Sequence, residues 1–398
     1  MEPEEHVKHP ALPADRPADR PFDPPAALAR LRERSPLSRM TYPDGHVGWL
    51  ATGHALVREV LADPRFSARS DRYHQPFPGV PNAVRPAPPG MFGSMDEPGH
   101  GRYRRLLTGQ FTVRRMRALT GHVEEVTAGL LDAMEQGGAP ADVVRDLAVP
   151  LSSQVICELL GVPYADRERF QGPALRLFRM SDAPQERAAA FAAVHGFVSE
   201  LVAAKRTAPT DDLLGGLVAT DLTDEELVNI GFSLLGAGLD TTANMIALGA
   251  FALLEHPVQL AELRGDPGLA APAVEELLRY LSVIPATVRA ATEDVVLAGE
   301  TVKAGESVTV SIPAANRDPA RFADPDVLDL LRSTAGHVAF GHGVHQCLGQ
   351  QLARVELQVA VPALLSRFPG LRLAVASEAV RMRTDMIIYG VHELPIEW

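Results

Sequence analysis

Close to the C-terminus, Phe340-Gly-His-Gly-Val-His345-Gln-Cys347-Leu-Gly349 brings glycines, histidines and a cysteine into one short stretch. Gln350-Gln-Leu-Ala-Arg-Val-Glu-Leu-Gln-Val then runs on with helical periodicity. Gly341 and Gly343 permit a tight loop and bring bare backbone against a flat partner. Cys347 falls where the helix begins, so free N–H groups and the positive end of the helix dipole favour its thiolate. The only other cysteine, Cys157, sits in Val155-Ile-Cys-Glu-Leu-Leu and reads as a small core residue. Structural zinc needs about four ligands, so one thiolate cannot build such a site. A buried structural cysteine beside a glycine turn is the bland alternative for Cys347.

A metal held by a single thiolate should be one already carried by a macrocycle, namely haem iron. Phe340-Gly-x-Gly-x-His345-x-Cys347-x-Gly349 resembles the haem-binding loop of the cytochrome P-450 haem-thiolate monooxygenases. The resemblance implies Cys347 as the metal ligand, with Phe340, Gly341, His345 and Gly349 against the cofactor. It also implies a mainly α fold with small β-sheets, a triangular-prism helical domain that encloses haem b. O2 would be the co-substrate.

Other parts of the chain are then required. Thr223-Asp-Glu-Glu226 is a capping box that opens a helical pattern running to Glu255, before Pro257. About 32 residues at 1.5 Å each make roughly 48 Å, enough to cross a domain. The pattern is apolar almost all round and therefore buried. In its middle sits Gly236-Ala-Gly238-Leu-Asp240-Thr241-Thr242, although an interior glycine costs about 1 kcal/mol against alanine. Small residues let a flat ligand approach, and Thr241 can bond back to the carbonyl of Ala237. The segment is similar to the family's oxygen-activation motif, Ala237-Gly238-x-Asp240-Thr241. That implies cofactor contacts at Ala237 and Gly238, and proton delivery through Asp240 and Thr241. A close helix crossing with a capped carboxylate is the structural alternative.

Between Pro98 and Val123 there is no acidic residue, yet Arg102, Arg104, Arg105, Arg114, Arg115 and Arg117 all fall there. His100 and Arg104 are four apart and share a helix face that can hold one carboxylate. By resemblance they bind haem propionates, and the other arginines face an acidic electron donor; a solvated basic face is the alternative. Pro285-Ala-Thr-Val-Arg289-Ala-Ala-Thr reads as a strand, with Arg289 and His345 reaching propionates by resemblance. Glu276 and Arg279 are one turn apart, a spacing that alone means a surface ion pair. The resemblance makes them a buried pair with Arg332 as third member, although Leu328 stands where an aromatic is frequent.

Residues 68–95 form a proline-rich but apolar loop, a wall over substrate or a surface loop packed on itself. Val80, Met91, Leu234, Val288 and Ile387 are the expected substrate contacts. Helical patterns run over Asp166–Phe178 and Glu186–Arg206, and the segment from Phe170 to His195 resembles the mobile helix pair that roofs the substrate pocket. Residues 1–25 are poor in apolar groups and read as a flexible arm, with one catalytic domain over 26–398.

The chain has 398 residues, 46% hydrophobic, with a net charge of −12 that argues against nucleic-acid binding. No leader or membrane anchor is read from the acidic N-terminus, so a cytoplasmic monomer is expected. No flavin or nicotinamide domain is visible, so electrons from NAD(P)H arrive through a separate ferredoxin and its reductase. Ala- and Arg-rich usage with these motifs resembles actinobacterial enzymes that tailor polyketides and macrolides by hydroxylation or epoxidation. Phenol coupling, peroxide use and xenobiotic oxidation are the rival haem-thiolate chemistries. A non-redox reading, Cys347 as a nucleophile with His342 or His345 as base, lacks an evident oxyanion arrangement.

Overall fold

The structure, a computed structural model, describes residues 9–398. Its axis is the helix Asp224–Glu255, 32 residues long. Thr223 Oγ1 accepts the N–H of Glu226 (3.3 Å), and the Glu226 carboxylate accepts the N–H of Thr223 (2.7 Å). The same carboxylate accepts from Tyr103 Oη (2.7 Å) and Arg102 (2.5 Å), which ties the helix start to the helix Gly99–Thr108. Pro257 begins the next helix. From Leu239 to Leu253 nearly every residue of the long helix is buried, because the helices Val149–Leu160, Pro184–Thr207 and Gln350–Arg367 surround it. Two glycines permit close crossings: a Cβ on Gly231 would lie 2.8 Å from Val198 Cγ1 and one on Gly238 3.0 Å from Ile156 Cδ1.

A five-stranded sheet flanks the helices, in the order Leu37–Thr41, Val47–Ala51, Ser307–Ser311, Ala286–Ala291, Phe66–Ser67. Only the pairing of Val47–Ala51 with Ser307–Ser311 is parallel. Ser307–Ser311 is buried along its whole length, as a central strand should be. Smaller sheets of three and two strands complete the β content.

Two expectations are corrected here. Residues 1–8 of the expected arm lie outside the described residues, but 9–25 are packed rather than loose. Phe22 is buried with its ring 4.8 Å from that of Phe251, and Tyr389 Oη donates to the carbonyl of Pro21 (2.6 Å). One aromatic anchor and satisfied carbonyls hold a segment whose composition is otherwise unfit to pack. The helix read over Asp166–Phe178 is instead a 3₁₀ turn, Tyr164–Arg169, followed by the short helix Gln171–Arg176. Pro173 has no N–H to continue a preceding helix, so the helix restarts with proline in its first turn. Pro184–Thr207 and Asp224–Glu255 are long and apolar enough to cross a membrane. The second is the central core helix, with 78% of its most apolar window buried inside the protein.

Candidate active site

The loop before Gln350–Arg367 is closed by the N–H of Cys347 donating to the carbonyl of Phe340 (2.9 Å). Gly341 and Gly343 both have left-handed backbones, φ 72° and 75°. They do different work. A Cβ on Gly343 would collide with the carbonyl oxygen of Leu61, whereas nothing stands within 4 Å of one on Gly341. The loop therefore packs on the helix His54–Ala62 with one glycine and leaves bare backbone over a cavity with the other.

That cavity has a volume of about 560 Å³. Phe340, Gly341, His345, Cys347 and Gly349 line it from the loop, and Leu234, Ala237, Gly238, Thr241 and Thr242 from the long helix. His100, Arg104 and Arg289 line it as well. Three expected substrate contacts do not. Val288 is displaced by strand parity: Thr287 and Arg289 face the cavity, so Val288 points to the other side of the sheet. Val80 lies in the part of the proline-rich loop held away by His74 N–H to Ser307 Oγ (2.9 Å). Only the loop's end, Met91 to Ser94, reaches the cavity. Ile387 is tied by its N–H to the carbonyl of Phe178 (3.0 Å) and lines neither main cavity.

The basic groups are the decisive feature. Neither Arg104 nor Arg289 makes an ion pair among the described residues. Burial holds both guanidinium pKa values below their ordinary range. The His345 ring lies 4.0 Å from that of His100, and its pKa is pushed down to about 3, by burial first and then by His100, Arg289 and Arg104. His100 Nε2 is buried with no partner. Its Nδ1 meets Glu97 at 3.5 Å, but the pKa is still lowered, chiefly by burial. Two guanidinium groups and two imidazoles thus line one cavity, and neither guanidinium has a carboxylate partner among the described residues.

The Cys347 thiol is exposed to the cavity yet enclosed by protein, and burial raises its pKa although the N–H groups of Gly349 and Gln350 and two arginines oppose this. The helix start thus favours the thiolate while burial opposes it. Neither His342 nor His345 is hydrogen-bonded to the sulfur among the described residues.

On the long helix, Thr241 Oγ1 donates to the carbonyl of Ala237 (2.7 Å) and leaves its lone pairs toward the cavity. Asp240, one residue earlier, faces away. It is 1% exposed, paired by both oxygens with Arg383 (2.6 and 3.0 Å), and accepts from Asn244 (2.9 Å).

A family model of cytochrome P450 matches residues 269–377. Cytochrome P450 105C1 of a Streptomyces species is 53% identical over 94% of this chain and 95% of its own. The chain belongs to the cytochrome P450 family. Pentalenic acid synthase of Streptomyces avermitilis is 46% identical over 98% of this chain and 97% of its own. Among solved structures, CYP105P1 in complex with filipin I superposes with a TM-score of 0.92 at 41% identity, covering 98% of this chain and 99% of that one. This P450 is accordingly a monooxygenase with the P450 fold, in which haem and O2 are the expected reactants.

The residues present fit haem: a thiol for the iron, bare backbone at Gly341, and basic groups that two propionates would neutralise. Beside the site, Glu276 meets Arg279 at 2.7 and 2.8 Å, and Arg332 reaches the same carboxylate at 3.2 Å. Of the arginines assigned to an acidic donor, Arg102, Arg114 and Arg115 are paired within the chain, with Asp221 and Glu226 or Asp211.

Sequence reasoning missed two charged groups. One is Arg383, whose link to Asp240 joins elements far apart in the chain. The other is Glu356, which lines the cavity behind Cys347, with Oε2 unpartnered and its pKa raised by burial from 4.5 to about 8. The unfolded carboxyl loses its proton at lower pH than the folded one, so stability falls as pH rises between those values. Glu356→Gln is expected to remove this slope between about pH 5 and about pH 8 in urea unfolding. Parallel profiles for wild type and variant would contradict it.

Proposed function

We propose that this P450 inserts one oxygen atom from O2 into a hydrophobic small molecule, by hydroxylation or epoxidation, and that its substrate is a polyketide- or macrolide-type secondary metabolite. The observation that carries the reading is Cys347 sharing one cavity with two arginines unpaired among the described residues, two histidines and Thr241. Cys347 would supply the sulfur to the iron of haem b, and His100, Arg104, Arg289 and His345 would hold its propionates. Bound haem with a thiolate ligand supplies O2 activation and O–O cleavage. The chain's own residues place the substrate and meter protons.

Met91, Phe92, Leu234, Met245, Val283 and Ile284 give the cavity apolar walls, which supports a hydrophobic substrate held by shape. Filipin I on CYP105P1 and the leinamycin pathway of the related hydroxylase LnmA, from Streptomyces atroolivaceus, support a natural product. Electrons come from NAD(P)H through a ferredoxin and its reductase, in the cytoplasm.

Thr241 Oγ1 is the last proton station: its hydrogen rests on the carbonyl of Ala237 and its lone pairs face the cavity, so each proton it takes is matched by one it gives up. Asp240 supplies that proton only after Arg383 and Asn244 loosen their hold. Asp240→Asn is expected to lower coupled product formation about a hundredfold. It should also enlarge the solvent isotope effect. Because the variant strands Arg383 in the interior, haem content and unfolding are measured alongside. Unchanged coupling and isotope effect in a folded, haem-loaded variant would contradict the role of Asp240.

A further inference from the structure

A second cavity lies across the long helix from the Cys347 cavity, with a volume of about 870 Å³. Asp240, Ala243 and Asn244 face it from the long helix, Leu175, Arg176 and Arg179 from the Gln171–Arg179 region, Ala190 from Pro184–Thr207, and Arg383 and Met386 from the C-terminal segment. The two cavities share no lining residue. The size is that of a small-molecule site, about 300–1,000 Å³.

Most of its charges are already paired. Arg176 pairs with Asp182 and Glu186 (2.9 Å each), Arg383 with Asp240, and His392 with Asp385 (2.7 Å). Only Arg179, 3.9 Å from Asp182, is loosely paired, so an ionic ligand would find one weakly committed guanidinium and would lose its hydration. Two donors remain unspent: the Nε–H groups of Arg179 and Arg383 are buried with no acceptor, and both residues line the cavity. The Arg383 side chain is 9% exposed, and its other nitrogens are taken by Asp240. A buried donor without an acceptor is costly, and an occupant that supplies the acceptor recovers that cost.

We infer that this cavity is a second small-molecule site, taking a neutral, largely apolar molecule that offers a carbonyl-type acceptor to the Nε–H of Arg383. The assignment does not depend on which group Cys347 binds. An occupant there touches the partner of Asp240, so the site also has a physical route to the helix centre.

Methionines mark the two cavities separately, which gives the test. Met386 lines the second cavity, whereas Met91 and Met245 line the first. The protein is labelled with ¹³C at methionine methyl groups and assigned with Met386→Ile. It is studied as the reduced, carbon monoxide-bound holoprotein, or as purified should it carry no haem. Benzophenone is titrated against diphenylmethane, which has the same shape without the acceptor. The Met386 methyl is expected to shift saturably, with benzophenone about tenfold tighter than the hydrocarbon. Arg383→Lys keeps the charge but removes Nε–H, and should erase the preference. Ala190→Trp should abolish the Met386 response while Met91 and Met245 keep theirs. A silent Met386, equal affinity for both probes, or shifts confined to Met91 and Met245 would overturn the inference and leave a cavity filled by water only.

Discussion

Arg279→Met is expected to destabilise the fold by about 3–5 kcal/mol, because it strands a carboxylate in the interior. Arg279 and Glu276 are both 0% exposed. The guanidinium also donates to the carbonyls of Asn316 (2.8 Å) and Pro325 (2.9 Å). The Glu276 carboxylate further accepts from the N–H of Asp329 (3.1 Å) and from Arg332. Methionine restores much of the volume but none of these donors, so Glu276 and two carbonyls lose their partners together. Native stability is only about 5–15 kcal/mol, so this loss removes a large part of it. Arg332 remains near the carboxylate but is held at a greater distance and reaches it with one nitrogen. Urea unfolding of wild type and variant measures the loss. A difference below about 1 kcal/mol would mean that the pair is solvent-screened, contrary to its burial.

Local chemistry was legible in the chain, and long-range pairing was not. Gly341 and Gly343 flanking a loop before a helix announce a tight approach, and Thr223 with Glu226 announces a helix start, because both signals are confined to a few residues. The small residues at Gly236–Gly238 mark where the long helix is approached closely, and Gly238 proves to meet Ile156 as well as the cavity. Side-chain direction was harder. Arg289 and Val288 were both assigned to the pocket, although adjacent strand residues must point to opposite faces and only Arg289 does. Arg383 carries no local signal that it will clamp Asp240, since the contact depends on how the C-terminal segment folds back. At Cys347 the helix-start N–H groups can be read from sequence, whereas the competing burial cannot. Phe22 shows the same limit: one buried ring anchors a segment whose composition says disorder.

The central claim is that Cys347 binds haem iron through sulfur, with the neighbouring basic groups holding the propionates. Cys347→Ala removes the sulfur and nothing else of size, so it separates the ligand from the rest of the cavity. The measurement is the absorbance spectrum of purified protein, reduced and exposed to carbon monoxide, for wild type and Cys347→Ala from haem-replete cells. Wild type is expected to show the Soret shift of a thiolate ligand, and the variant to lose that shift along with all coupled oxidation. A wild type that carries no haem, or a variant that keeps the thiolate-type shift, would contradict the account.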